Sequence, residues 1–301
     1  MEEDTVLVAL GGNALKGGHD SQHFPELDKA CQALAELAPC RLIITHGNGP
    51  QIGQLAMHEV NQKTTTLDEL GAESEGLLGY KIEQELSNRL DTARVTTVLT
   101  RVEVDADDDS FNKPEKPIGP YLPQELAREL RAKHNWQFAR KNGKYRRIVP
   151  SPQPLEILQL EAIRVLLDAQ HCVICAGGGG IPVIRNREGN IQGVEAVIDK
   201  DLTSALLARQ INASYFYLIT DVEGVFRHWD SPKQELLQKV RPEDLQKMDF
   251  PEGSMGPKVQ AACDFVNQTG GTACIGSLEN IQDVLSARSG TRITANAQEL
   301  A

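Results

Sequence analysis

Three apolar, strand-like runs in this 301-residue chain each stop at glycine. Residues 5–10 run into Gly11, Gly12 and Asn13. Residues 41–45 run into His46, Gly47, Asn48, Gly49 and Pro50. Residues 172–176 run into Gly177, Gly178, Gly179 and Gly180. Glycine lets backbone N–H groups come close to a ligand and admits positive φ. Three such strand ends point to a sheet edge built for anionic groups, phosphates above all.

Helical spacing fills the gaps between the runs. It predicts helices over 24–37 and over 51–60, the latter opened by Pro50. Thr66 and Glu69 fit a capping box for a helix running to about residue 90. The β-branched run 94–100 reads as a strand. Further on come a helix at 155–168, a strand at 171–176 and a hairpin near Arg187–Asn190. A helix at 201–210 and a strand at 215–220 follow, and helices near 257–268 and 278–287 flank a strand at 273–276. This rhythm implies a mostly parallel sheet with helices on both faces.

The rhythm breaks at 105–154. That stretch opens with Asp105, Asp107, Asp108 and Asp109 and holds prolines 114, 117, 120, 123, 150 and 152. A basic run follows from Arg140 to Arg147. It reads as a small protruding subdomain or lid, with Trp136, Phe138, Tyr145, Ile148 and Val149 able to pack together.

Composition removes several function classes. A formal net charge of -11 argues against a nucleic-acid or membrane-surface binder. No apolar run approaches the roughly 20 residues a membrane helix needs. The acidic first residues lack a signal-peptide pattern. Six scattered cysteines (31, 40, 172, 175, 263, 274) suit a reduced, cytoplasmic protein. Cys172 and Cys175 lie three apart on a strand, so they face opposite sides and read as buried apolar residues.

Phosphate chemistry must come from an unusual site. No GxxxxGK[ST] string occurs, and Gly47, Gly49 and Gly53 miss the dinucleotide fingerprint by one residue. Lys200 lies between Asp199 and Asp201, and Asp201 could orient it. Lys258 stands at an expected helix start. Lysines beside glycine-rich or helix-start segments fit phosphate clamps. Phosphoryl transfer needs mainly positioning and cationic stabilisation, which such groups supply. Four adjacent glycines at 177–180 exceed what a structural turn needs. Asp221, just after the strand 215–220, reads equally as a nucleotide contact or as a turn residue. His19 and His23 sit in a polar loop with no carboxylate ligand, so no metal site is expected. Spacing supports no Ser-His-Asp or Cys-His arrangement.

Taken together, these residues resemble the carbamate kinases of the amino-acid kinase superfamily over nearly the whole chain. The strings that carry the resemblance lie at 8–14, 46–50, 116–120, 149–154, 177–182, 195–201, 253–258 and 290–293. The resemblance implies an α/β fold, a three-layer α/β/α sandwich with a mostly parallel central sheet and a small protruding lid subdomain. It implies an acceptor lobe over 1–194, a nucleotide lobe over 195–301, and a homodimer. It implies reversible phosphoryl transfer between ATP and carbamate, with Mg2+ accompanying the nucleotide, in the ATP-forming direction at the end of arginine or purine-derivative breakdown. By carry-over, Gly11, Gly12, Asn13, Gly47, Asn48 and Gly49 hold the phosphoryl group and carbamate. Lys200 and Lys258 stabilise charge, Asp201 organises them, and Lys116 reaches over from the lid. Gly177, Gly178, Gly179, Gly180, Asp221 and Lys258 fall to the nucleotide. Two strings depart from the pattern. Glu73-Ser74-Glu75-Gly76 replaces a Met-Ser/Thr-Gln-Gly string, and 140–147 replaces an Asp-Ala-Gly-Arg-Gly-Trp-Arg-like one. A related kinase with another small carboxylate acceptor, or an inactive nucleotide-binding homologue, are the alternatives. The Lys116-Pro117-Ile118-Gly119 string favours the carbamate branch.

Overall fold

The computed structural model describes residues 4–12, 24–37, 40–58, 65–90, 94–250 and 255–295. Its helices are α1 (Pro25–Ala35), α2 (Gly49–His58), α3 (Leu67–Ser87), α4 (Gln124–His134), α5 (Leu160–Asp168), α6 (Lys200–Gln210), α7 (Pro242–Leu245), α8 (Met255–Thr269) and α9 (Ile281–Leu285). An eight-stranded sheet runs through the centre. From one edge its strands are Lys239–Val240, Thr291–Ile293, Thr272–Ser277, Tyr215–Thr220, Thr5–Leu10, Arg41–His46, His171–Cys175 and Arg94–Val98. Only Thr272–Ser277 against Thr291–Ile293 is antiparallel.

Both faces of the sheet are buried, which explains the unbroken apolar runs. Val6, Val8 and Leu10 pack under α1, α3 and α9. Leu7 and Ala9 pack under α5, α6 and α8. The three-layer expectation therefore holds. Cys172 joins the first face and Cys175 the second, as their spacing required. All six cysteines are free, and burial pushes the Cys31 thiol up to about 12.

Local signals set most boundaries. The capping box on α3 forms, with the Thr66 amide donating to Glu69 Oε2 at 2.9 Å. The helix expected at 155–168 starts later, at Leu160. Pro154–Ile157 is instead a strand, antiparallel to Arg101–Val104. Pro152 and Pro154 favour extended backbone in the residues before them, and Arg101–Val104 supplies a ladder. These two strands join Ile181–Arg185 and Ile191–Gly193 in a second sheet, which the rhythm did not reveal. The hairpin near 187–190 is its outer turn.

The excursion is an ordered lid. Lys116–Leu122, Lys144–Val149 and Gln137–Lys141 form an antiparallel three-stranded sheet that packs with α4. Val149 and Ile118 sit in an apolar cluster with Ile52 and Ala56 of α2 and Leu67 and Leu70 of α3. Trp136 lies under the Arg147 guanidinium, 3.8 Å from ring centre to cation. The lid touches α2 backbone to backbone: a Cβ on Gly53 would lie 2.2 Å from Gly119 Cα.

Candidate active site

Two glycine loops and one lysine meet at the end of the sheet. The Gly47 amide donates to Leu10 O at 3.0 Å. A Cβ on Gly47 would stand 2.9 Å from Gly12 N and 3.3 Å from Lys200 Cδ. Gly11 presses equally close to the next strand, 2.9 Å from Ile219 O by the same measure. Gly49 opens α2 with no atom within 4 Å of its Cβ position. Among the described residues, the Cβ side of Gly49 at the start of α2 is therefore open. Asn13 lies outside the described residues.

α6 delivers the charges. Its N-cap is Asp199, whose side chain accepts from the Asp201 amide at 2.9 Å. Lys200 and Asp201 are therefore fixed in its first turn. Lys200 Nζ lies 2.5 Å from Asp201 Oδ1, and Lys258 Nζ, from the first turns of α8, lies 3.0 Å from Oδ2. Lys116 of the lid reaches Asp199 Oδ2 at 2.8 Å. Behind them, Thr45 on the strand Arg41–His46 bonds to Ser204 of α6 at 2.7 Å, which fixes α6 against the sheet.

Burial opposes charge on all three groups of the central triad. At Asp201 the two ammonium groups overcome it and hold the carboxyl well below the usual range. At Lys258 burial is outweighed by Asp201, Asp199 and Asp221, and its pKa rises. At Lys200 burial wins over Asp201, helped by repulsion from Lys258, and its pKa falls. Asp221, exposed at the end of Tyr215–Thr220, thus acts on the same neighbourhood through its charge.

The four-glycine turn is placed differently. Gly178, Gly179 and Gly180 have φ of 69°, 98° and 84°, so the run is required by backbone conformation. It is also required by space. A Cβ on Gly178 would fall 2.1 Å from Asn48 Nδ2, and one on Gly177 would fall 2.4 Å from the His46 ring. The Gly177 amide donates to Glu75 Oε1 at 2.9 Å. The Gly179 and Gly180 amides donate to Ala176 O and Gly177 O, each at 3.1 Å. These three amides are already engaged inside the protein. Asn48 likewise turns inward, its Nδ2 donating to Ser74 Oγ at 2.8 Å.

The tetrad forms a packed turn between the strand His171–Cys175 and α3. Glu75, which spacing did not single out, anchors that turn. Its Oε2 also accepts from the Thr100 amide at 3.3 Å. Burial without a cation raises its pKa to about 8. Burial also lowers His46 to about 4, with the Gly47 carbonyl opposing and Lys200 assisting.

Among the described residues, no group of three or more His, Cys, Asp or Glu is arranged to hold a metal ion. Nor is any described helix long and apolar enough to cross a membrane.

The amino acid kinase family model matches residues 4–277. A carbamate kinase from Haemophilus influenzae is 45% identical over 302 residues, covering 97% of each chain. The chain belongs to the amino acid kinase family, in its carbamate kinase branch. A carbamate kinase from Pyrococcus furiosus is 39% identical, covering 96% of this chain and 98% of its own. The solved carbamate kinase from Giardia lamblia bound to AMP-PNP superposes with a TM-score of 0.85. It is 33% identical and covers 98% of this chain and 99% of its own. Family membership thus spans the lid as well as the sheet.

Proposed function

We propose that this chain transfers a phosphoryl group reversibly between ATP and carbamate, working in the ATP-forming direction from carbamoyl phosphate and ADP. The observation that carries this reading is the buried Lys200–Asp201–Lys258 triad beside the glycine loops 11–12 and 47–49. A migrating phosphoryl group spreads negative charge over its oxygens, and catalysis is mostly positioning and charge stabilisation. Lys200 and Lys258 supply cationic charge at the strand ends. Amides of the glycine loops and of the first turn of α2 cradle the small planar acceptor. Asp201, held ionised by two lysines, is too weak a base to take a proton; it sets where the two ammonium groups point.

Residues 195–301 would carry the nucleotide, with Asp221 and Lys258 at its phosphate end, and residues 1–194 the acceptor. In this reading the tetrad 177–180 shapes the site's wall rather than gripping the nucleotide. Both Asp201 oxygens are engaged by lysines, so magnesium fits this site on the nucleotide's phosphates and water; when bound it neutralises phosphate charge. The substrates and charge suit a cytoplasmic enzyme of amino-acid or purine-derivative breakdown. Leu77 and Tyr80 of α3 and Leu99 beside the edge strand Arg94–Val98 are exposed, and a homodimer would cover them.

The test is direct: purified protein with carbamoyl phosphate, ADP and Mg2+, read by coupled ATP detection. Rapid ATP formation is expected. No ATP from carbamoyl phosphate, with transfer to another small carboxylate from ATP, would replace this reading by a related kinase.

A further inference from the structure

The lid and the charged triad meet at Asp199. Asp199 does two things at once. One carboxylate oxygen caps α6 by accepting from the Asp201 amide at 2.9 Å. The other holds the ammonium of Lys116 at 2.8 Å, across 83 residues of sequence. Lys116 and Asp199 are each about three-quarters buried, at 24% side-chain exposure, so solvent screens this pair only in part. A second ion pair also crosses from the lid to the rest of the molecule. This pair, Arg147 to Glu195, is looser at 3.7 Å, with Glu195 largely exposed. On its far side Lys116 borders a cavity of about 310 Å³ whose rim includes Asp109, Ser110, Lys113 and Ser151. The lysine therefore stands between an open cleft and the first turn of α6.

We infer that Asp199 is a positioning residue: it latches the lid through Lys116 and so sets the lysine's ammonium at the first turn of α6. This rests on the kinase reading only for its consequence in catalysis; the latch itself rests on the Lys116–Asp199 contact. The chemistry supports the division of labour. The cap needs only an acceptor oxygen, which asparagine also provides. The latch needs a full negative charge to hold an ammonium. Asp199→Asn therefore separates the two roles.

Hydrogen exchange on the ligand-free protein tests it. Asp199→Asn should raise exchange of the lid strand 116–122 about tenfold, as expected when a charge-assisted hydrogen bond is lost. Lys116→Met should do the same, and the double variant should do no more than either single one. Unchanged exchange in Asp199→Asn, or additive effects in the double variant, would overturn the latch and leave Asp199 a helix cap. An activity readout adds the consequence. Asp199→Asn should raise KM for carbamoyl phosphate about tenfold in the native background and hardly at all on Lys116→Met. Wild-type protein that makes no ATP would sink the kinase reading, while the exchange result would still decide the latch.

Discussion

Two buried carboxylates, Asp201 and Glu75, stand in adjoining regions and behave oppositely. Asp201 meets two lysine ammonium groups and stays ionised far below the usual range. Glu75 meets the backbone amides of Gly177 and Thr100 and the Thr100 hydroxyl, and burial raises its pKa to about 8. The first region concentrates charge where a phosphoryl group would pass. The second is nearly neutral and fixes the shape of the four-glycine turn. What separates them is the nearest cation, since both groups are almost wholly buried.

The largest expected effect lies in the charged region. Lys200→Met should lower kcat by about 10³-fold while leaving the melting temperature close to wild type, because it removes stabilisation of developing charge. Steady-state ATP formation and a thermal melt check both halves. Asp201→Ala leaves two buried ammonium groups without their shared partner. It should cost about 3–5 kcal/mol of stability, measured by denaturant unfolding. A loss under 1 kcal/mol would mean that the lysines do not depend on it.

The neutral region should answer through stability. Gly178→Ala forces a side chain into Asn48 at positive φ and should lower stability by about 2–4 kcal/mol. Its kcat per folded molecule should change far less than that of Lys200→Met. The smallest effect is a pH trend. Glu75 has a folded pKa near 8 against an ordinary 4.5, so the folded protein binds the extra proton between these values. Its contribution is full below about 4.5 and is lost as pH rises through about 8. Glu75→Gln cannot ionise. Its melting temperature relative to wild type should therefore climb by about 4 °C between pH 5 and pH 9. A constant difference across that range would show that Glu75 does not titrate as described.

Much of this was legible in the sequence. Strand ends at Leu10 and His46, the α3 capping box and the opposite facing of Cys172 and Cys175 follow from local patterns. The lid showed itself as a proline-rich break. The second sheet did not, because Arg101–Val104 and Pro154–Ile157 are short and pair across about 50 residues of chain, a distance that local periodicity does not register. Within the site, Lys200, Asp201 and Lys258 could be picked out beside glycine and helix starts. The partners of Lys116 and of Gly177 could not, since tertiary packing alone brings Asp199 and Glu75 to them.

In the proposed transfer, charge resides with Lys200, Asp201 and Lys258, and shape with Glu75 and its glycine turn. Initial rates of ATP formation from carbamoyl phosphate and ADP, taken side by side for Lys200→Met and Glu75→Gln at pH 7, test this division most directly. The rate should drop about 10³-fold for the first and less than about fivefold for the second. Equal losses, or a Lys200→Met enzyme as fast as wild type, would contradict it.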